Sequence, residues 1–404
     1  MTWNGHVRQA HCVPFDVSTT VNSMTAPRRL LLALTALAAP LLFDGCNGRP
    51  QTLSIGVLVA QSGPSGARGK DLLQGAQLAA EEINASDFRL DGQPLHIEIR
   101  ATDDKGEVEA AKTQARDLID TGVGAMIGPV NSNQAAAVIP IVAAKGLPQM
   151  ITATSAALPG LGQGNVLRLL ANDEMQGRAI ASFAAETLAA KRIALIVENS
   201  DYGHGLNTSV GTALRKYQRD AVASTEVDDK GQVAPETIAQ FRQAGVDTIV
   251  FLAREPQLMG VLDAIDKSGW TDVNVVGTNV VRNRNVARRP VHVKALYATA
   301  TAIDAKEFPQ GKQFLDAFQK RYNAEPVWGA QYAYDAVYAL ADGARQARTL
   351  DPADLIKTLK RIEPATKVNQ QMRFAPSGEQ VYPNIGVYKV DRGAWTMQMM
   401  SATW

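Results

Sequence analysis

Short apolar stretches alternate along this chain with longer segments in which apolar residues recur at helical spacing. The apolar stretches are rich in β-branched residues and nearly continuous, which is typical of strands buried on both faces of a sheet. Nine candidate strands follow from this pattern, at residues 53–60, 95–103, 124–129, 147–153, 166–170, 192–198, 246–253, 273–278 and 295–302. Because strands that alternate with helices are typical of βαβ units, the pattern predicts an α/β fold with parallel sheets.

The segments between the strands carry an apolar stripe on one helical face. In residues 69–85 the stripe consists of Leu72, Leu73, Ala76, Ala79, Ala80 and Ile83. Nine strands are many for one parallel sheet, so we expect two lobes, with a second βαβ series that starts near residues 168–175. Residues 308–344 predict two further helices, and residues 372–400 predict strands joined by turns at "PSGE" and "DRGA".

The first 46 residues differ from the rest of the chain. Arg28 and Arg29 precede an apolar run at residues 30–43, which is the pattern of an export signal. The run is shorter than the roughly 20 apolar residues that a transmembrane helix needs. A buried core helix is the alternative interpretation. Met24 is a second candidate start, which would make residues 1–23 an upstream extension.

The end of this apolar run, "LLFDGC", resembles a bacterial lipoprotein signal because Gly45 precedes Cys46. Phe43 and Asp44 depart from the usual aliphatic and small residues of that signal. Lipidation of Cys46 is therefore one hypothesis, and export without a lipid anchor is the other. The second cysteine, Cys12, also lies before residue 47, so residues 47–404 offer no disulfide, thiol nucleophile or cysteine metal ligand.

Charge and motifs exclude several classes of function. The formal net charge of +1 argues against a nucleic-acid partner, which needs a basic face. The chain has no G-x-S-x-G elbow, no H-E-x-x-H, no P-loop and no G-x-G-x-x-G that opens a helix. The loop "GPSGARG" suggests a phosphate cradle, but Pro64 removes one amide donor. Beyond the leader only His96, His204 and His292 remain, and scattered histidines are more often surface or packing residues than ligands, so we predict no metal site. From the missing motifs we predict no cofactor and no enzymatic activity.

Five stretches of the chain resemble the leucine/isoleucine/valine-binding proteins of bacterial ABC transporters, which have the type I periplasmic binding protein fold. The resemblance runs from about residue 52 to near the end of the chain. It rests on "IGVLVAQSGPSGARGKDLLQGAQLAAEEINA", "AMIGPVNSNQAAAVIPIVAAKGLPQMITATSAA", "RIALIVENSDYGHG", "FLAREPQLMGVLDAIDKSGW" and "FLDAFQKRYNAEPVWGAQYAYDAVYAL".

The resemblance implies two Rossmann-like lobes, joined by three crossings, with the ligand in the cleft between them. Lobe 1 would comprise residues 51–170 and 300–350, and lobe 2 residues 171–299 and 351–404. The ligand would lie at the carboxyl ends of the strands, where open α/β sheets bind ligands. The resemblance also implies a monomer that delivers its ligand to an ABC permease in the inner membrane.

In this family, hydroxyl and backbone groups after the third and fourth strands hold the ligand's α-carboxylate. Hydroxyls and free amides at a helix N-terminus suit an anion. The alternative for each serine is a helix cap. The matching residues lie in "GPVNSN" and "ITATSAA", and they are Asn131, Ser132, Ala153, Thr154 and Ser155.

Four further positions match ligand-facing residues of the family. Tyr202 matches a tyrosine that faces the ligand from lobe 2 in the family, with simple packing as its alternative. Arg68 and Arg254 replace aromatic residues, and Asn279 replaces the acid that pairs with the ligand's ammonium. An unpaired ammonium is costly in a desolvated cleft. These differences favour a ligand with a second carboxylate or one without an ammonium, unless both arginines point to solvent.

The sequence therefore predicts a solute receptor of the periplasm or cell envelope that binds an amino acid or a small carboxylate. The alternative is a sensor or regulator of amides, urea or aromatic acids on the same fold. An exported enzyme would show a nucleophile elbow or a set of metal ligands, and the sequence has neither.

Overall fold

Two β-sheets form the frame of the protein in a computed structural model, which describes residues 50–227, 233–369 and 371–401. The first sheet has the order β2-β3-β1-β4-β5-β6 and the second the order β13-β12-β11-β10-β9-β7-β8. The strands of the first sheet are β1 (Gln51–Val59), β2 (Arg89–Leu90), β3 (Gln93–Asp103), β4 (Ala125–Ile127), β5 (Gln149–Ile151) and β6 (Val166–Arg168). The strands of the second are β7 (Ile193–Glu198), β8 (Ala221–Val227), β9 (Thr248–Leu252), β10 (Asn274–Gly277), β11 (Ala295–Ala300), β12 (Ile385–Asp391) and β13 (Ala394–Ser401).

Helices connect most of these strands and cover both sheets. They are α1 (Gly66–Ala85), α2 (Val108–Asp120), α3 (Ser132–Ala143), α4 (Asp173–Ser182), α5 (Asp201–Lys216), α6 (Pro235–Gln243), α7 (Glu255–Lys267), α8 (Arg284–Arg288), α9 (Gly311–Tyr322), α10 (Ala330–Ala347) and α11 (Pro352–Leu359). Within the described ranges, no helix has the length and apolar character needed to cross a membrane.

Every one of the nine candidate strands is a strand in the structure, and the α/β architecture of two lobes is confirmed. The sheets are mixed rather than wholly parallel, because β2 pairs antiparallel with β3, and β12 pairs antiparallel with β11 and β13. The pattern missed β8, whose residues alternate between half-buried and exposed positions at the edge of the second sheet. An edge strand lacks the continuous apolar run on which the prediction depended.

The first lobe is built on the first sheet, with α1 and α10 packed closely against each other on one face. A Cβ on Gly75 would lie 1.9 Å from the carbonyl oxygen of Ala330, so only glycine allows this approach. The apolar stripe predicted for α1 is largely buried there, with Leu72, Ala76 and Ile83 in one core. On the other face, α2 and α3 pack over a separate apolar cluster.

The segment from residue 351 onward divides between the lobes, whereas the prediction placed residues 351–404 wholly in lobe 2. Leu355 and Leu359 of α11, and Phe374 after it, lie in the core of the first lobe. Gly343 on α10 makes room for the two leucines, since a Cβ there would come within 2.9 Å of both. Strands β12 and β13 then join the second sheet, so the last crossing follows Phe374.

The predictions for the leader lie outside the described residues. They concern Met24 as a second start, the export signal at residues 30–43, and lipidation of Cys46. The elements above belong to one compact unit, Gly48–Trp404.

Candidate functional site

Three loops converge at the carboxyl edge of the first sheet, after the adjacent strands β1, β4 and β5. Asn131 Nδ2 donates to Ser65 Oγ at 3.1 Å, which joins the first loop to the second. The amide of Ser155 donates to Ser132 Oγ at 3.3 Å, which joins the second loop to the third. Asn131 occupies the N-cap of α3 without a capping side-chain bond. Asn131, Ser132 and Ser155 therefore surround a helix N-terminus that suits an anion.

A buried arginine holds the third loop through hydrogen bonds to its backbone carbonyls. Arg168, at the end of β6, is fully buried. Its guanidinium donates to the carbonyl oxygens of Ala153 and, at 2.7 Å, of Ser155. Its Nε donates to Glu379 Oε2 at 2.9 Å. Because Arg168 occupies both carbonyls, these two oxygens are not available to a ligand, whereas the Ser155 hydroxyl is.

A carboxylate lies where the chain crosses from the first lobe to the second. Asp173 begins α4, and its amide donates to the carbonyl of Thr154 at 2.9 Å. The residue is only 8% exposed, and its Oδ1 has no hydrogen-bond partner among the described residues. Burial raises the pKa of the Asp173 carboxyl to about 6, although the Thr154 side chain and the charge of Arg168 favour the ionised form. A buried carboxylate oxygen without a partner is suited to a cation.

Tyr202, in the first turn of α5, is the candidate ligand contact of the second lobe. Its hydroxyl lies 3.1 Å from Thr278 Oγ1 and 3.3 Å from Asn279 Oδ1, and it donates its one proton to one of these two oxygens at a time. The guanidinium of Arg254 lies over its ring, 5.1 Å from the centroid. Burial raises the pKa of the Tyr202 hydroxyl, and the nearby charge of Asp173 raises it further. The tyrosine is therefore a neutral hydrogen-bonding group beside the carboxylate.

Arg254 is already paired. It forms a salt bridge with Glu198, which is buried at the end of β7, while the Arg254 side chain is half exposed. The positive charge of Arg254, which the sequence analysis counted in favour of a second carboxylate on the ligand, is therefore paired within the chain. The interaction with a buried carboxylate neutralises that charge.

Arg68 is half-buried in the first turn of α1. Its guanidinium lies 5.7 Å from the ring centroid of Trp328. Burial lowers the pKa of Arg68, Tyr202 acts in the opposite direction, and the charge of Arg254 lowers the pKa further. Since groups of both lobes act on Arg68, this arginine lies where the two lobes face each other rather than in open solvent.

The loop that carries Trp328 is held by a single carboxylate. Asp71, one helical turn after Arg68, accepts hydrogen bonds of 2.7–3.0 Å from the amides of residues 327–330. These amides include the first turn of α10, so Asp71 caps that helix from a distance. The position of Trp328 beside Arg68 therefore depends on Asp71.

The geometry agrees with a comparison against protein families. The model of the periplasmic binding protein family matches residues 52–394. This chain belongs to that family. It is similar to a Leu/Ile/Val-binding protein homologue of Brucella abortus, with 24% identity over 91% of this chain and 97% of the relative.

Solved structures of this fold include proteins with different ligands. One is the substrate-binding protein of an ABC transporter from Desulfitobacterium hafniense in complex with Leu. Its TM-score is 0.74 at 22% identity, over 86% of this chain and all of the other. Another is a solute-binding protein from Rhodopseudomonas palustris in complex with 3,4-dihydroxy benzoic acid, with a TM-score of 0.72 at 17% identity, over 87% and 98%. At these identities the structures show the fold alone.

In this periplasmic binding protein, the sequence-predicted residues form two groups. The first lobe brings together Asn131, Ser132, Ala153, Thr154 and Ser155, and the second brings together Tyr202, Arg254 and Asn279. Arg68 faces the second group. Ala153 is buried and contributes its carbonyl to Arg168.

Four residues of this periplasmic binding protein were missed by sequence reasoning, namely Arg168, Asp173, Glu198 and Trp328. Arg168 and Glu198 could have been noticed in the sequence, because each is a charged residue at the end of an apolar strand. Asp173 resembles an ordinary acid in the first turn of a helix. Within the described part of the chain, no group of three His, Cys, Asp or Glu residues could hold a metal.

Asp71→Ala should lower the free energy of unfolding by about 3 kcal/mol, because it leaves buried amides without an acceptor. The loss stays below the sum of four hydrogen bonds, because burial raises the pKa of Asp71 and its removal relieves that cost. Urea unfolding measures the change. The exposed Asp87→Ala, which removes a surface partner of Arg89, is the control and should change stability by less than about 1 kcal/mol. Equal effects of the two substitutions would contradict this role for Asp71.

Proposed function

We propose that this protein is an exported receptor that binds an amino acid or a related small carboxylate in the cleft between its lobes. It delivers this ligand to the permease of an ABC importer in the inner membrane. The observation that carries the proposal is the Asp173 carboxylate, buried and without a partner at Oδ1, on a residue whose amide bonds the loop of Ser155, which in turn contacts Ser132 at the start of α3. The Asp173 carboxylate suits an ammonium and the N-terminus of α3 suits a carboxylate, so together they complement a zwitterion.

The ligand's carboxylate would accept hydrogen bonds from the hydroxyls of Ser132 and Ser155 and from the first amides of α3. Its ammonium would donate to Asp173, so the loss of an acid at position 279 does not exclude an amino acid. Asn279 and Tyr202 would add neutral hydrogen bonds from the second lobe. Groups from both lobes then hold one ligand, which favours the closed arrangement in its presence.

The relatives support transport over other roles for this fold. The name of the Brucella relative refers to Leu, Ile and Val, and the two structures carry Leu and an aromatic acid. This family binds solutes, so we propose no enzymatic step. The aromatic-acid complex keeps a sensor or receptor for such acids as the second candidate function.

A thermal-shift screen of the purified protein against amino acids, amides and small organic acids tests the proposal. A ligand at 100 times its dissociation constant should stabilise the folded protein by about 2.7 kcal/mol. We expect at least one α-amino acid or small carboxylate to raise the midpoint in a saturable manner. A response only to amides, urea or aromatic acids would favour the second candidate, and no response in the whole panel would contradict both.

We further propose a periplasmic or cell-envelope location and a monomeric state. Whether the protein is tethered depends on Cys46. Mass spectrometry of the N-terminal peptide after expression in a Gram-negative host would show a diacylated cysteine if the lipoprotein hypothesis holds. An unmodified N-terminus created by ordinary signal cleavage would favour plain export.

A further inference from the structure

We infer that Arg68 and Trp328 form a specificity subsite for a second anionic group, so that the ligand is an amino acid with an acidic side chain. This inference rests on the proposed function and names the ligand class of the same cleft. It follows from how the charges around the cleft are paired and from how Arg68 is held.

Arg68 differs from the other arginines around the cleft in having no acidic partner among the described residues. Arg168 pairs with Glu379, and Arg254 pairs with Glu198. Arg282, after the 3₁₀ turn at Asn279–Val281, pairs with Asp304. Arg68 instead makes a cation–π contact with the ring of Trp328. A half-buried guanidinium with five donors and no acceptor is suited to a carboxylate from outside the chain.

The surroundings of Arg68 make its positive charge unfavourable in the absence of an anion. Burial lowers its pKa, while Tyr202 acts in the opposite direction. Trp328 compensates only in part, because a cation–π contact is weaker than a hydrogen-bonded ion pair. An anion placed between the Arg68 guanidinium and Tyr202 would relieve this cost.

Backbone hydrogen bonds fix the loop that carries Trp328, so the subsite does not depend on side-chain conformation alone. Asp71 fixes the loop at residues 327–330 through four amide hydrogen bonds, which sets the indole of Trp328 beside α1. Arg68 lies one turn earlier on the same helix. A guanidinium that stacks on a fixed aromatic ring loses less rotational freedom when it binds an anion.

The charges in the cleft match an acidic amino acid. The start of α3 takes the α-carboxylate, Asp173 takes the ammonium, and Arg68 takes the side-chain carboxylate. The Glu198–Arg254 pair is neutral and needs no counter-charge from the ligand. A leucine side chain would instead desolvate Arg68 without giving it a partner, which is unfavourable.

Isothermal titration calorimetry on the purified protein tests this assignment, with L-aspartate, L-glutamate, L-2-aminoadipate, L-glutamine and L-leucine as probes. We expect the best acidic probe to bind about 10- to 100-fold more tightly than L-glutamine and L-leucine. Arg68→Gln should reduce this preference to within about threefold while L-glutamine still binds. Arg116→Gln is the matched control, because it removes an exposed charge from α2 in the same lobe and should leave the preference unchanged.

The failures of the two proposals are distinguishable. If L-glutamine or L-leucine binds wild type as tightly as every acidic probe, or if Arg68→Gln keeps the preference, the subsite is wrong and the receptor function stands. If none of these amino acids and no small carboxylate binds, the receptor function fails, and the subsite fails with it. Glutarate, which lacks the ammonium, should bind more weakly than L-glutamate but still lose affinity with Arg68→Gln.

Discussion

Asp173→Asn is expected to stabilise the unliganded protein at neutral pH and to weaken amino acid binding on the order of 100-fold. The gain in stability arises because burial raises the pKa of this carboxyl from 3.8 to about 6. Above pH 6 the folded protein carries an ionised carboxylate that is stabler in the unfolded chain, at a cost of up to about 3 kcal/mol. The amide has no such cost, and we expect a gain of about 1–3 kcal/mol.

The pH dependence of the stability gain tests whether the gain arises from the buried charge of Asp173. As the pH falls through 6 towards 4, the wild-type carboxyl becomes protonated in the folded state first, so the advantage of the Asp173→Asn variant should shrink. Urea unfolding at pH 7.5 and pH 4.5 measures it. A gain that is constant or grows on acidification would contradict the electrostatic origin.

Asp335→Asn is the matched control for Asp173→Asn. Burial also raises the pKa of Asp335 to about 6. However, its oxygens accept hydrogen bonds from the amides of Lys367, Val368 and Asn369. An amide group there would direct N–H donors at N–H donors, so Asp335→Asn should destabilise the protein by about 1–3 kcal/mol. Two carboxyls with the same pKa thus give opposite results, because one has hydrogen-bond partners and the other has an oxygen left for a ligand.

Binding of an amino acid to wild type should weaken below about pH 6. The ligand's ammonium favours the ionised carboxylate of Asp173, whose pKa is about 6 in the free protein. Below that pH a proton competes with the ligand for the same oxygen. Calorimetric titrations between pH 5 and pH 8 should show this loss for wild type and not for the Asp173→Asn variant. A wild-type affinity that is independent of pH would exclude Asp173 as the ammonium partner.

Arg168→Met is expected to lower the free energy of unfolding by about 3–5 kcal/mol, the largest effect on stability of any substitution considered. The change removes a fully buried guanidinium and leaves the carbonyl oxygens of Ala153 and Ser155, and the carboxylate of Glu379, without their donor. Ligand affinity should fall as well, because the loop that carries Ser155 loses its support. Urea unfolding and calorimetry measure the two effects.

Glu379→Gln is the milder companion of Arg168→Met. Glutamine keeps an oxygen that accepts from Arg168 Nε, and the Glu379 side chain is partly exposed to solvent. We expect a loss of about 1 kcal/mol and an unchanged ligand affinity. If Arg168→Met cost no more than Glu379→Gln, the buried arginine would not be what holds the third loop.

The sequence predicted the strands well because buried parallel strands are continuous apolar runs that a local pattern reveals. The edge strand β8 escaped because its alternating residues resemble a loop or a polar helix face. The serines after β4 and β5, with Tyr202 and Asn279, were predicted as ligand-binding residues from short motifs that resemble those of the family.

The missed part of the site depends on contacts between distant segments. Arg168 reaches Glu379, 211 residues away, and Asp71 reaches Ala330, 259 residues away. No local pattern shows that Arg254 is neutralised by Glu198, or that Asp173 Oδ1 has no hydrogen-bond partner among the described residues. The net charge around the site therefore follows from the three-dimensional structure, which shows how each charged side chain of the two lobes and of residues 371–401 is paired.

The most direct test of a zwitterion-binding cleft is a crystal structure of the protein with the amino acid that gives the largest thermal shift. The expected result is a ligand between the lobes whose ammonium lies within about 3 Å of an Asp173 carboxylate oxygen and whose α-carboxylate meets Ser132 and Ser155. A ligand bound outside this cleft, or one whose ammonium does not reach Asp173, would contradict it.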